Sequence, residues 1–149
     1  MNRETMYRFL QACLTGRKDY ATEDGVTFYR NFETDPPHLT LVLDALIDRY
    51  LTNPERVTRV AVLDLARSTD VRPDEVVRAV IALSHITLVS NHVEEKLIRI
   101  IQVDIDDGGM MSILIGLNGW LTYHLRALCE TARQPHLSTR DRREAERIG

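Results

Sequence analysis

The amino-acid sequence predicts a mostly α-helical fold with one small β-hairpin. Apolar residues recur at helical spacing over residues 3–15, 38–51 and 110–133. Two short runs rich in branched residues, 87–89 and 97–103, instead have the composition of paired strands. Hydrophobic residues make up 44% of the 149 positions, which is enough to build a core without support from a metal or a disulfide.

The first predicted unit, residues 1–37, holds one helix and a short strand region. The helix over 3–15 ends at Gly16, because glycine is common just beyond a helix C-terminus. Residues 26–29 have strand character. The Asp-Pro-Pro sequence at 35–37 separates this unit from the next, since the residue before a proline is kept out of the helical region.

The second predicted unit, residues 38–107, holds three helices and the hairpin. After the helix over 38–51, Asn53 is a suitable N-cap and Pro54 suits the first helical turn, so a second helix is expected to start between 54 and 59 and to end near 68–69. A third helix is expected to start at Pro73, followed by two acids at its positive end. The two branched runs then form the hairpin.

The third predicted unit, residues 108–134, is a single helix from about 110 to 133, and residues 135–149 are a charged, flexible tail. Gly108 to Leu125 is a stretch of 18 residues without a charge, diluted by glycines and polar residues. A bilayer span needs about 20 mainly apolar residues, so this stretch is predicted to be a buried helix and no membrane is expected as a partner. The N-terminus lacks the apolar core of a secretory signal, which favours a cytoplasmic location.

Part of the second unit resembles a winged helix-turn-helix domain. The matching stretch runs from Leu65 to Val76, in which a Leu-Ala pair ends one helix and a polar turn closes on an apolar residue. The following helix repeats apolar residues at i, i+3, i+4 and i+7, which places them on one face. The match continues to Leu88 and Val89, and the module covers residues 38–104. The apolar face of its last helix consists of Val76, Ala79, Val80 and Leu83.

This resemblance implies a small, non-enzymatic regulator that binds double-stranded DNA. The helix from Pro73 to about His85 would enter the major groove, where arginine reads guanine through two hydrogen bonds. The implied base or phosphate contacts are Arg72 and Arg78, the implied phosphate contacts are Arg67, Ser68 and Thr69, and the implied wing tip consists of Asn91, His92 and Lys96.

A protein-interaction adaptor on the same scaffold is the alternative function. Residues 38–107 carry eight bases against twelve acids, whereas contacts to phosphate supply most of the affinity for DNA. Val77 and Ile81 also give the third helix a second apolar face, which predicts that something covers it. A positive patch that joins Arg67, Arg72 and Arg78 favours DNA, and acids that cancel the patch favour the adaptor.

The sequence also predicts a homodimer, or a protein partner, that contacts the last helix. Small residues recur along the predicted helix, and aromatic residues beside them supply contact area. The apolar positions exceed what one small core requires, and large apolar patches usually mark interaction sites. The predicted interface consists of Val77, Ile81, Ser112, Gly116, Gly119, Trp120 and Tyr123.

No metal, cofactor or catalytic site is expected. The five histidines are scattered, and no phosphate loop or nucleophile motif is present. Residues 104–109 faintly resemble the start of a calcium loop, but Ile115 stands where that loop requires a glutamate. Cys13 and Cys129 lie among apolar residues and are expected to be buried free thiols.

Overall fold

The computed structural model describes residues 3–17, 22, 25–31, 38–52 and 57–133. The predictions for residues 32–37, for Asn53-Pro54 and for the tail from 135 onward lie outside this part. The described part holds five helices and six strands, in this order: α1 Arg3–Thr15, β1 Thr27–Arg30, α2 Leu39–Thr52, β2 Val57–Ala61, α3 Val62–Thr69, α4 Pro73–Leu83, β3 Ile86–Ser90, β4 Val93–Lys96, β5 Ile98–Ile105, β6 Met111–Leu117 and α5 Gly119–Arg133.

The predicted fold class is wrong, because the described residues form two three-stranded antiparallel sheets beside the helices. The strand orders are β1-β3-β4 and β2-β6-β5. The protein is therefore mixed α and β, not mostly α with one hairpin. No helix in the described part combines the length and hydropathy that a membrane span requires.

The largest error concerns the helix expected over 110–133. Its first part is strand β6, and only Gly119–Arg133 is helical. As the central strand of its sheet, β6 is apolar almost continuously, and periodicity alone does not separate such a strand from a buried helix. The second predicted helix fails in the same way, since Val57–Ala61 forms β2 and the helix starts at Val62.

The predicted hairpin joins the wrong strands. β3 pairs with β4, and their two-residue loop consists of Asn91 and His92, both with positive φ. This is the backbone of a tight hairpin turn. The run expected to pair with β3 is β5, which pairs instead with β6 in the other sheet.

The helices α2, α3 and α4 pack against one another and form the core next to the sheets. The four apolar residues predicted to share one face of α4, Val76, Ala79, Val80 and Leu83, are all 0% exposed, which confirms that prediction. Helix α4, which is the third helix predicted for residues 38–107, begins at Pro73 as expected.

A buried asparagine joins the two sheets to α5. The Asn118 side chain accepts a hydrogen bond from the Leu121 N–H at 3.0 Å and so caps α5. Its amide donates to the carbonyls of Glu95 and Lys96, each at 3.2 Å, at the end of β4. The Asn118 N–H donates to the Leu97 carbonyl, while the Leu97 N–H donates to Ile86 in β3. This network, which we call the Asn118 junction, fixes where one sheet ends and the other begins.

Replacement of Leu83 by alanine is expected to lower the free energy of unfolding by about 2–5 kcal/mol, because it leaves a cavity in a filled core. Urea denaturation followed by circular dichroism measures this loss. The matched control is Ile81→Ala on the same helix, where the side chain is 46% exposed and the expected change is below about 1 kcal/mol. Equal losses for the two variants would contradict the observed register of α4.

Replacement of Asn118 by alanine is expected to lower the free energy of unfolding by about 2–4 kcal/mol, because the α5 cap and two partly buried hydrogen bonds to carbonyls are lost together. The same denaturation experiment applies. Asn118→Ser keeps an oxygen for the cap but cannot donate to both carbonyls, so its loss should be intermediate. If serine and alanine were equally harmful, the contribution of the cap would be disproved.

Candidate nucleic-acid interface

Helices α3 and α4 form a helix-turn-helix with a three-residue turn, Asp70 to Arg72. Asp70 ends α3 in the left-handed conformation, at φ 57, which aspartate tolerates better than most residues. The N–H groups of Asp70 and Val71 both donate to the Ala66 carbonyl, and the buried Val71 side chain fixes the turn against the core. Arg72 is extended and Pro73 opens α4, so the second helix leaves the turn in one defined direction.

Arg72 is paired within the chain. Its guanidinium donates two hydrogen bonds to Asp74, at 2.8 and 3.2 Å. These bonds hold the pKa of the Asp74 carboxyl below its ordinary value and raise the pKa of Arg72, so both groups are charged at neutral pH. Both are exposed to solvent. The pair cancels the charge of one of the three arginines predicted to contact DNA.

Arg67 and Arg78 have exposed side chains and make no ion pair or hydrogen bond with the described residues. Arg67 lies in the last turn of α3 and Arg78 in the middle of α4. Both are therefore available to an anionic partner.

The hydroxyls of Ser68 and Thr69 are already used. Both donate to the Leu65 carbonyl, Ser68 at 3.2 Å and Thr69 at 2.6 Å. Phosphate oxygens only accept hydrogen bonds, so a hydroxyl that has given its proton to a carbonyl has none to offer them. Ser68 and Thr69 must rotate away from Leu65 before they can donate to phosphate.

The three predicted wing residues do not lie together at a tip. Asn91 and His92 form the exposed two-residue loop between β3 and β4. Lys96 lies at the other end of β4, where its ammonium donates to the Ser84 carbonyl at 3.0 Å, at the C-terminus of α4. A cation in this position interacts favourably with the negative end of the helix dipole.

Acidic residues surround the helix-turn-helix. Four acids lie on α3, the turn and α4, against three arginines. Glu75 contacts His38 at 3.5 Å, and Asp74 holds Arg72. The remaining two acids, Asp64 and Asp70, are exposed. The surface is therefore mixed in charge, not a positive patch.

The second apolar face of α4 is only partly covered. Val77 is half-buried and packs against the core, whereas Ile81 is 46% exposed. Neither α1 nor α5 buries Ile81 within the described residues. The outer face of α4 is thus open to a partner.

The predicted strip of small residues along the last helix does not exist as such, because Ser112 and Gly116 lie on strand β6 and only Gly119 is helical. Gly116 is buried beneath neighbouring side chains: a Cβ at this position would come within 2.8 Å of the Arg99 guanidinium. Trp120 is half-buried, with its ring 5.3 Å from that of Phe9 in α1. Tyr123, 69% exposed, is the one aromatic of the predicted set on open surface.

Two polar contacts that organise the structure are not among the predictions from the sequence. One is the Asn118 junction, whose signal was an asparagine directly before a helix start. The other is the ion pair between Arg59 on β2 and Asp104 on β5, which spans the central strand β6. The hydrogen bonds from Gln102 and Arg59 keep the pKa of Asp104 below its ordinary value. No sequence signal announces this pair, because 45 residues separate its members.

An apolar cavity of about 150 Å³ lies between α1, α2 and α5. Asp44 stands in its lining, where burial and the nearby charge of Asp48 raise the pKa of its carboxyl. In the part of the chain that the structure describes, no three histidine, cysteine, aspartate or glutamate residues come together as a metal site.

Comparisons with protein-family models, with curated proteins and with solved structures give no significant match to this chain.

Cys13 is a buried free cysteine, as predicted, whereas the side chain of Cys129 lies outside the described part. Burial raises the pKa of the Cys13 thiol well above its ordinary value, so the nucleophilic thiolate is scarce. In a Cys129→Ser variant, Cys13 is expected to resist a chromogenic disulfide reagent at mildly alkaline pH and to react fully in urea. Rapid labelling of the folded variant would show that Cys13 is accessible.

Proposed function

We propose that this chain is a small, non-enzymatic regulator that binds double-stranded DNA through α3, the turn and α4. The observation that carries the proposal is the exposed pair Arg67 and Arg78 on a helix-turn-helix whose outer face no described element covers. A regulator of this kind acts in the cytoplasm, in a cell whose DNA also lies in the cytoplasm. Its binding to DNA needs no cofactor.

The arrangement of elements supports a winged module. Strand β2 lies between the first two of three mutually packed helices, and a tight hairpin follows the third. In winged helix-turn-helix domains the last of these helices enters the major groove with its N-terminal half. In this chain Arg78 is exposed in the middle of α4, next to that half, and Arg67, exposed in the last turn of α3, is the candidate phosphate contact.

A protein-interaction adaptor is the second candidate, and the charge distribution favours it. The acids on the helix-turn-helix outnumber its arginines, and Arg72 is neutralised by Asp74. The exposed Ile81 adds an apolar contact on the same helix. An adaptor would use this mixed surface without any requirement for phosphate.

The DNA candidate predicts opposite effects of two substitutions on affinity for a duplex, whereas the adaptor candidate predicts no specific effect of either. For DNA binding, Arg78→Ala should weaken affinity by about 1–3 kcal/mol, because an unpaired cation is lost. Asp74→Asn should strengthen affinity severalfold, because it releases Arg72 and removes a negative charge from the same surface. Fluorescence anisotropy with a labelled duplex of mixed sequence at low salt measures both effects.

The matched control is Arg8→Ala, which removes one exposed arginine from α1 and should leave affinity nearly unchanged. If the wild-type chain binds no duplex at low salt, or if Asp74→Asn leaves binding unchanged, the DNA proposal is wrong and the adaptor becomes the better reading.

A further inference from the structure

Strand β5 presents a free edge. It pairs with the central strand β6 along its length, and within the described residues no strand pairs with its other side. A row of backbone donors and acceptors therefore faces outward, which is the arrangement that recruits another strand. The burial of the β5 side chains, the face of the sheet on which each one lies, and their charges indicate which strand pairs with this edge.

Burial falls steadily along one face of β5. Ile98 is 0% exposed and Ile100 is half-buried, but Val103 is 50% and Ile105 64% exposed. The four side chains share a face, because they pair with four alternate residues of β6 that also share one. The second half of the strand thus overhangs the core and leaves branched apolar side chains in solvent.

A bulge makes the order of faces along β5 symmetric. The pairing with β6 shifts between Ile100 and Gln102, so that Ile101 is the extra residue. Ile101 reaches over Gly116 beside Arg99, on the outer face that Gln102 and Asp104 also share. From Ile98 to Ile101 the side chains lie on the core, outer, core and outer faces in turn, and from Gln102 to Ile105 they lie on the same faces in reverse order. The midpoint of the pattern lies between Ile101 and Gln102.

Symmetry of this kind suits an antiparallel pairing of β5 with itself. Opposite residues of two antiparallel strands must project to the same face. In a regular strand, neighbouring side chains project to opposite faces. If such a strand paired with a copy of itself about a point between two residues, every residue would therefore lie opposite one that projects to the other face. With the bulge, the rule holds along the whole strand, so that Ile98 is opposite Ile105 and Ile100 is opposite Val103.

The charges agree with this register. It sets Arg99 opposite Asp104 of the second copy, and the two-fold axis repeats the pair at the other end. The exposed Arg99 has no ion-pair partner among the described residues. Asp104 accepts hydrogen bonds from Arg59 and Gln102 and is held in its charged form. Opposite charges across a strand pair are stabilising.

The other edge of the same sheet does not fit a second copy. Self-pairing of all five residues of β2 would be centred on Arg59 and would set its guanidinium against that of the other copy. Like charges directly opposite are destabilising. Charge therefore disfavours self-pairing of β2 and favours self-pairing of β5.

We propose that two copies of this chain pair β5 to β5 about a two-fold axis between Ile101 and Gln102, which joins their three-stranded sheets into one continuous sheet. In this dimer the overhanging Val103 and Ile105 lie beside Ile100 and Ile98 of the second copy, at the edge of its core. The closed two-fold contact uses up the free edge of both chains.

Sedimentation equilibrium of the full chain tests the dimer. Arg99→Glu places two like-charged pairs across the strands, and Val103→Lys places an ammonium beside Ile100 of the second copy. Each substitution should raise the dimer dissociation constant about tenfold or more. The matched control is Val57→Lys on β2, a position 38% exposed on the other edge, which should leave the constant unchanged. Circular dichroism verifies that each variant is folded.

Cross-linking tests the register. In a Cys129→Ser background, Arg99→Cys with Asp104→Cys should form a covalent dimer under mild oxidation. The two positions lie about 16 Å apart along one strand, too far for a disulfide within a chain. Val57→Cys with Ala61→Cys is the matched pair that would link two copies through β2, and it should stay monomeric on a denaturing gel.

Three results would overturn the proposal: a monomer over the whole micromolar range, a dimer indifferent to both β5 substitutions, or covalent linkage through the β2 pair instead of the β5 pair. Neither experiment contains DNA. The dimer and the proposed function therefore stand or fail separately.

Discussion

The arrangement of the whole chain depends on hydrogen bonds at Leu97 and Asn118. Leu97 lies between β4 and β5, where the chain passes from one sheet to the other. Its N–H donates to Ile86 in β3, and its carbonyl accepts from Asn118 directly after β6. The buried Asn118 side chain satisfies two carbonyls of β4 and the first turn of α5 at once. Because buried polar groups without partners are costly, this junction ties the end of β4 to the first turn of the last helix.

The helix-turn-helix is attached to this frame through β2. This strand leads directly into α3 and pairs with the central strand β6, so the second sheet supports the first of the two helices. The apolar side of α4 faces α2 and α3 and leaves its polar side outward. Ion pairs then determine which arginines on the outer surface of α3, the turn and α4 keep an uncompensated charge. Asp74 neutralises Arg72, whereas Arg67 and Arg78 have no partner among the described residues. The scaffold supplies the position of these arginines, and neighbouring acids set how many of them can serve an anion.

The second sheet shows how one extra residue changes what a strand can do. A bulge usually interrupts the pairing of an edge, but in β5 it restores a match of faces between two copies of the same strand. The exposed apolar residues lie on the half of the strand that extends past the core. The same strand supplies the acid that pairs with Arg59 across the sheet.

Local spacing, runs of branched residues, and proline and glycine signals predict α1, α2 and α4, the strands β1, β3 and β5, the buried face of α4 and the burial of Cys13. Contacts between distant parts of the chain define the other elements and the pairing of all the strands. The run 111–117 is a strand because it lies between two others, and no local pattern separates a central strand from a buried helix. Partner choice among strands, the pairing of Arg59 with Asp104 and the role of Asn118 arise from contacts between residues far apart in the chain. They arise because backbone groups and charges must find partners within one shared core. The pattern of neighbouring residues along the sequence does not indicate which distant residues become those partners.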